Sequence, residues 1–367
     1  MGFQCGIVGL PNVGKSTIFN ALTSAKAEAS NYPFCTIDPN TGVVQVPDQR
    51  LVEIAKLIPP EKVTPASMVF VDIAGLVKGA SQGEGLGNQF LAHIRETQAI
   101  AHVVRCFSDP NVIHVDGSVD PARDISVIDT ELILADLDTV NRRFSTLQKV
   151  AKAGGDKKSI SIFHVLERVK KALEEGKPVR SLGLSTEELN LVYDFHLLTA
   201  KKMMYIANID ESEMNTPSQN PNYQKLLNLA QIEGSALVPI CGKIEAEISE
   251  LPDNEKNEFL KEMTMSEPGL NRVIREGYYL LGLQTFFTAG PQEVRAWTIQ
   301  KGLKAPQAAG VIHTDFERGF VKAEVYHFED LIKYKSEQAI KDAGLLRLEG
   351  RDYIVKDGDI VYFRFAV

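Results

Sequence analysis

The spacing of hydrophobic and polar positions changes twice along the chain. Up to about residue 125, short apolar runs end in loops bearing glycine, aspartate or phenylalanine: residues 3–8 run into Gly9, 68–71 into Asp72, and 102–106 into Phe107. Runs of this length, bounded by turn residues and alternating with helical stretches, predict buried strands of a parallel α/β sheet. From about residue 126, Ile133, Leu137, Val140, Phe144 and Leu147 recur at spacings of four and three, as do Ile162, Leu166, Val169 and Leu173. That is the 3.5-residue seam of a coiled coil. Ala-Gly-Gly-Asp-Lys-Lys-Ser between the two runs predicts an antiparallel helical hairpin. Ser185-x-x-Glu188 then reads as the capping box of a third helix. Strand-like runs return at 203–207 and 236–240, so the helical arm is inserted within the α/β domain. Beyond about Leu281, residues 284–289, 294–299, 320–328 and 360–365 have strand composition. Asp357-Gly358 marks a turn, and 335–343 reads as a helix. The predicted parts are an α/β domain over 1–125 and 203–280, a helical insertion over 126–202, and a β-rich domain over 281–367.

The loops after the first strands carry the chemistry. Residues 9–17, Gly-Leu-Pro-Asn-Val-Gly-Lys-Ser-Thr, match the P-loop pattern G-x-x-x-x-G-K-[ST] in its setting of strand, loop and helix. Gly9 and Gly14 let backbone N–H groups curl around phosphate oxygens. Asn12, Val13, Gly14, Lys15, Ser16 and Thr17 form the predicted nucleotide cradle. Lys15 is the charge for the β- and γ-phosphates, and Ser16 offers its hydroxyl to Mg²⁺. The helix that follows aims its positive end at the anion. Asp72-Ile73-Ala74-Gly75 adds a carboxylate for Mg²⁺ and a Gly75 N–H for the γ-phosphate. Between the motifs, Thr36 is the candidate second Mg²⁺ ligand from a switch loop, and Gly79, Gly83, Gly85 and Gly87 mark a second switch.

Taken together, residues 9–17, Phe-Cys-Thr-Ile-Asp-Pro-Asn at 34–40 and residues 71–91 resemble the YchF family of Obg-related translation-factor GTPases, nearly end to end. The resemblance implies an α/β P-loop nucleotide-binding domain, an inserted coiled-coil arm and a C-terminal β-grasp domain of the TGS type. It further implies ribosome binding and a preference for ATP over GTP. By the same resemblance Phe107 packs on the base, and Cys241-Gly242-Lys243 corresponds to the Ser-Ala-Lys element that closes the base pocket through backbone groups.

Base recognition departs from ordinary GTPases. No Asn-Lys dipeptide occurs in the chain, and the place of NKxD is taken by Asn208-Ile209-Asp210-Glu211. A carboxylate aimed at the base edge accepts from guanine N1–H but repels the N1 acceptor of adenine. Displacing it into Glu211 relaxes the guanine requirement, Ile209 offers an apolar surface to either base, and Asn208 is placed near the base. Hydrolysis departs as well. The position after D-x-x-G, where Ras-like enzymes carry a water-orienting Gln, is Leu76. Catalysis then depends on Lys15, on K⁺ held by Asn12 as related enzymes hold it, or on a histidine, with His114 ahead of His93.

Charge adds a partner. Residues 140–180 hold eleven Lys/Arg against four Asp/Glu, a net of +7 in a chain of −8 overall. A basic arm on an acidic protein suits phosphate-backbone contact, with Lys157, Lys158, Lys170 and Lys171 as candidate contacts, and by the family resemblance the expected partner is the ribosome, its large subunit and RNA. The TGS-like domain is a second RNA or protein module. No run approaches the ~18 apolar residues of a membrane span. Four scattered cysteines lack metal spacing, so reduced thiols in a cytoplasmic protein are expected; a monomer is expected as well. The commitment is an Mg²⁺-dependent ATPase switch. A GTPase, a nucleotide-gated binding protein with negligible turnover, and a redox regulator acting through Cys35 or Cys241 are the alternatives.

Overall fold

The computed structural model describes residues 3–24, 40–73, 86–115 and 117–366. In chain order the elements are β1 (Gln4–Val8), α1 (Lys15–Ser24), β2 (Thr41–Gln45), α2 (Gln49–Leu57), β3 (Lys62–Thr64), β4 (Ser67–Asp72), α3 (Leu86–Glu96) and β5 (Ala99–Arg105). The helices α4 (Pro121–Lys152), α5 (Lys157–Glu174) and α6 (Thr186–Leu191) follow, then β6 (Lys202–Asn208), α7 (Pro221–Glu233), β7 (Ala236–Ile240), α8 (Gly242–Glu250), α9 (Asp253–Glu262) and α10 (Gly269–Leu280). The chain closes with β8 (Leu283–Ala289), β9 (Glu293–Gln300), α11 (Ala305–Ile312), α12 (Thr314–Arg318), β10 (Phe320–His327), α13 (Phe328–Tyr334), α14 (Glu337–Asp342), β11 (Arg347–Glu349) and β12 (Asp359–Phe365). The chain forms two compact units: 1–42 with 69–273, and 43–68 with 274–367.

The first unit is built on a sheet of order β2-β4-β1-β5-β6-β7. The pairs β1–β4, β1–β5, β5–β6 and β6–β7 are all parallel. Every residue of β5 is buried, and all of β6 after its first. Such continuous apolar strands are what a sheet covered on both faces requires. Because the strands run the same way, the loops after β1, β4, β5, β6 and β7 all leave from one edge, where open α/β sheets bind ligands.

Two helices leave this fold as a hairpin. α4 starts at Pro121, five residues before the predicted boundary, with Asp120 as N-cap and proline in the first turn. The earlier start escaped the periodicity because Ile125, Ile128 and Leu132 pack at the root and precede the seam that begins at Ile133. Residues 153–156 turn the chain, and Asp156 caps α5 by accepting from Ser159 N at 3.0 Å. The predicted seam is one hydrophobic cluster, with Ile133, Val140, Leu166, Val169 and Leu173 buried and Leu137, Phe144, Leu147 and Ile162 packed against it. The Ser185–Glu188 capping box is formed in both directions, at 2.9 and 3.2 Å. The insertion does not stand apart as a separate unit. Asp136 of α4 accepts from Leu198 N, Thr199 N and Thr199 Oγ1 within 2.8 Å, which ties the root of the hairpin to the segment entering β6.

The second unit holds a sheet of order β11-β10-β12-β8-β9-β3. Here the predicted boundary at 281 is corrected. The unit begins at Ile274 and takes in 43–68 from the N-terminal half of the chain. β3 pairs in parallel with β9, Thr64 donates to Glu293 at 2.6 Å, and Arg50 holds Asp357 at 2.7 Å. The helix predicted over 335–343 is α14, capped by Ser336; the unpredicted α13 precedes it, and Lys335 between the two takes a φ of +64°. The core joins Phe286, Ile299, Phe320, Val325 and Phe363 with the alanine face of α11.

Candidate nucleotide-binding site

The P-loop joins the end of β1 to α1, whose first residue is Lys15. Asn12 and Gly14 both take positive φ, +63° and +94°. A Cβ on Gly14 would lie 2.3 Å from Asn208 Nδ2, so glycine is demanded by conformation and by space. Around this loop a cavity of 540 Å³ gathers Asn12, Gly14, Lys15, Ser16, Thr17 and Asp72. Lys15 Nζ pairs with Asp72 Oδ1, so the ammonium and the carboxylate of two motifs 57 residues apart meet at the strand ends.

A second cavity of 710 Å³ shares Asn12, Gly14 and Thr17 with the first and continues along the strand ends to α8. Its walls include Phe107, Asn208, Ile209, Glu211, Cys241 and Gly242, each named from the sequence. Asn208 is the hub. Its Nδ2 donates to Val13 O at 2.9 Å, its Oδ1 accepts from Gly242 N at 2.9 Å, and its carbonyl accepts from Cys106 N and Phe107 N. The amide predicted to meet the base is thus spent inside the protein, holding the P-loop, the β5 loop and the start of α8 in register. Asp210 Oδ2 accepts from Ser108 N at 3.2 Å, while Glu211 stands 3.7 Å from Lys243 in an exposed ion pair. The wall at this end carries five carboxylates, Asp109, Asp210, Glu211, Glu247 and Glu250, against one ammonium. The other end carries Lys15 and the start of α1. The two cavities are thus polar along their length, with a cation and a helix N-terminus at one end and carboxylate acceptors at the other.

Arg105 was not singled out by the sequence. Its side chain is buried and donates to the carbonyls of Phe107, Asp109 and Val112 at 2.9–3.2 Å, with its guanidinium 4.3 Å from the Phe107 ring centre. It holds the loop that forms one wall of the base cavity. The available signal was an arginine at the end of a strand that is apolar but for His102, where an unpaired charge is costly.

His114 is corrected. Read from the sequence as the candidate catalytic histidine, it has a buried side chain that lines neither cavity and meets Asp124 at 2.9 Å through Nε2. It fastens the loop to the first turn of α4. His93 is half-buried on α3 and lines neither cavity. Gly87, read as switch loop, lies in the first turn of α3. Thr36, Gly75, Cys35 and Leu76 lie outside the described residues. Cys241 is buried in the cavity wall, and burial pushes its thiol up from the ordinary range; Cys5 and Cys106 are pushed up to about 12. Thiols held protonated are poor redox sensors.

Fold and site define a P-loop nucleotide-binding protein of the GTPase type. Residues 4–168 match a family model described as 50S ribosome-binding GTPase, and residues 283–366 match the model of the YchF-GTPase C-terminal domain, described as of unknown function. "Ribosome-binding ATPase YchF" of Escherichia coli O157:H7 is 58% identical over 367 residues, and that of Bacillus subtilis 53%, each covering 100% of both chains. The solved structure of the Schizosaccharomyces pombe YchF GTPase superposes with a TM-score of 0.88 at 39% identity, covering 99% of this chain and 98% of its own. The chain belongs to the YchF family.

Proposed function

We propose that this protein is an Mg²⁺-dependent ATPase that works as a switch on the ribosome, in the cytoplasm and as a monomer. The observation that carries the ATPase reading is the paired cavity: Lys15, Ser16 and Asp72 at one end, and at the other a base wall whose Glu211 is turned to Lys243. Ser16 and Asp72 supply hard oxygen donors on one wall, which suits Mg²⁺. Mg²⁺ held there would neutralise charge on the nucleotide's phosphate oxygens. Lys15 holds the same oxygens, and the backbone N–H groups of 13–17 cradle them. Thr36 and Gly75, which lie outside the described residues, keep the switch roles that the sequence gives them. Asn12 gives its amide nitrogen to Ile113 O at 3.2 Å, which leaves Oδ1 as the ligand atom for K⁺. Calorimetric titration in Mg²⁺ and K⁺ tests the base choice. ATP is expected to bind at least ~tenfold tighter than GTP, about 1.4 kcal/mol. A GTP advantage of that size would mean that Asp210 or Glu211 still reads guanine, and the enzyme is a GTPase.

The ribosome reading follows the relatives' names and the charge of the hairpin, which acts as a coiled-coil arm, with the second unit as a TGS-type module contacting RNA. The large subunit is the proposed partner. Pairing within the hairpin favours its unpaired cations as the contacts. Lys170 pairs with Glu174, and Arg180 holds Asp129 with both side chains largely buried. Lys149, Lys152 and Lys157 are exposed around the tip. Reversing these three to glutamate is expected to weaken ribosome binding and to make the slope of log K against log salt shallower by about 2–3. Wild-type affinity and slope in a sedimentation assay would reject the basic arm.

A further inference from the structure

Most cations toward the root of the hairpin are paired, Lys171 being the exception among the described residues. Toward the root, Arg168 pairs with Glu188, Lys170 with Glu174, Lys177 with Glu175 and Arg180 with Asp129. In the distal half, Arg142, Arg143 and Lys158 have no carboxylate partner among the described residues, and all three line one cavity of 350 Å³ between α4, α5 and α6. Three unpaired cations around one cavity repel each other, and an anion relieves that. The floor is apolar: Leu147, Ile162 and Leu191 reach it from the hairpin's hydrophobic cluster. Arg143 lies 5.1 Å from the centre of the Phe195 ring, so its guanidinium is braced as a flat wall. Two exposed acceptors, Asn190 and Asp194, complete the lining.

We propose that this cavity takes one unstacked nucleotide of single-stranded RNA. Arg142 and Lys158 hold the flanking phosphates. The base lies between the Arg143 plane and the aliphatic floor, and Asp194 accepts from its exocyclic amine, as carboxylates do with cytosine N4. The volume falls in the ~300–1,000 Å³ range of ligand pockets, enough for one nucleotide unit and too small for a duplex. An acidic peptide would also answer the three cations, but Asp194 in the wall repels carboxylates, whereas a base uses it as an acceptor. The inference rests on the reading of the hairpin as an RNA-contacting arm and adds a base-binding subsite to it.

The test is fluorescence anisotropy on the full chain with three probes: a labelled ten-nucleotide oligocytidine RNA, an abasic ribose-phosphate chain of equal length, and an acidic decapeptide containing one leucine. Oligocytidine is expected to bind at least ~tenfold tighter than the abasic chain. Thr146→Trp fills the cavity from its exposed rim and keeps every charge. It should reduce oligocytidine binding to the abasic level and leave ATP affinity and melting unchanged. Asp194→Ala, an exposed change that leaves the core untouched, should erase a preference for oligocytidine over oligouridine. Equal binding of RNA and abasic chain, or no effect of Thr146→Trp, would overturn the subsite while the electrostatic arm stands. Displacement of the RNA by the peptide in a Thr146→Trp-sensitive way would make the occupant an acidic peptide. Failure of both RNA and abasic chain to bind the wild-type protein would reject subsite and arm together.

Discussion

Gly14→Ala is expected to cost roughly a hundredfold or more in ATP affinity, about 3 kcal/mol. Two penalties combine. The backbone at Gly14 has a φ of +94°, which a side chain tolerates at a cost of about 1–2 kcal/mol. The new Cβ would also sit 2.3 Å from Asn208 Nδ2 and push that amide off Val13 O and Gly242 N. Each buried group left without its partner costs about 1–3 kcal/mol. The P-loop then loses its tie to the base side, and Lys15 loses its place in the cradle. Gly176→Ala separates the two effects, because Gly176 has a φ of +72° with nothing within 4 Å of the added atom. That control should lower stability by about 1 kcal/mol and leave ATP binding intact. Calorimetry and thermal melting of both variants decide the matter. Gly14→Ala binding ATP as well as Gly176→Ala would remove Asn208 from its role as hub.

Arg105→Ala should weaken ATP binding by ten- to a hundredfold, about 1.4–2.7 kcal/mol, without changing affinity for inorganic tripolyphosphate. The guanidinium serves three carbonyls of the loop 107–112, and alanine leaves all three without a donor. That loop walls the base end of the site, and the phosphate end is built by other elements. The loss therefore falls on the nucleoside. Arg105→Lys should restore little, since one ammonium cannot reproduce a fork of donors. Equal losses for ATP and tripolyphosphate would show instead that the variant disturbs the whole sheet edge.

Both predictions turn on contacts that the sequence hints at unevenly. The P-loop could be read because its chemistry is local: Gly9 through Thr17 is one continuous turn whose glycines, lysine and hydroxyl are dictated by a phosphate. The hairpin could be read for a similar reason, since a seam at spacings of three and four is a property of the chain before it folds. Asn208 shows the limit. Its strand-end position was visible, but whether its amide faces a base or its own backbone depends on Val13 and Gly242, 195 and 34 residues away. His114 shows the opposite error. A polar loop reads as solvent-facing until α4 brings Asp124 against it. Arg105 went unread because its three acceptors are backbone carbonyls, which every residue carries and no side-chain pattern displays.

By itself, the sequence determined a P-loop with its Lys15 and Ser16, the Asp72 carboxylate, the missing guanine-reading motif and the seam of the hairpin. Each is a local pattern whose physical demand is met within a few residues. Tertiary structure alone decided that β3 completes the C-terminal sheet, that Asn208 and Arg105 brace the larger cavity, and that four of the hairpin's cations are answered toward its root while Arg142, Arg143 and Lys158 are not. Those outcomes depend on which distant segments close against one another, and strand pairing, buried hydrogen bonds and ion pairs acquire their partners only when the chain has closed.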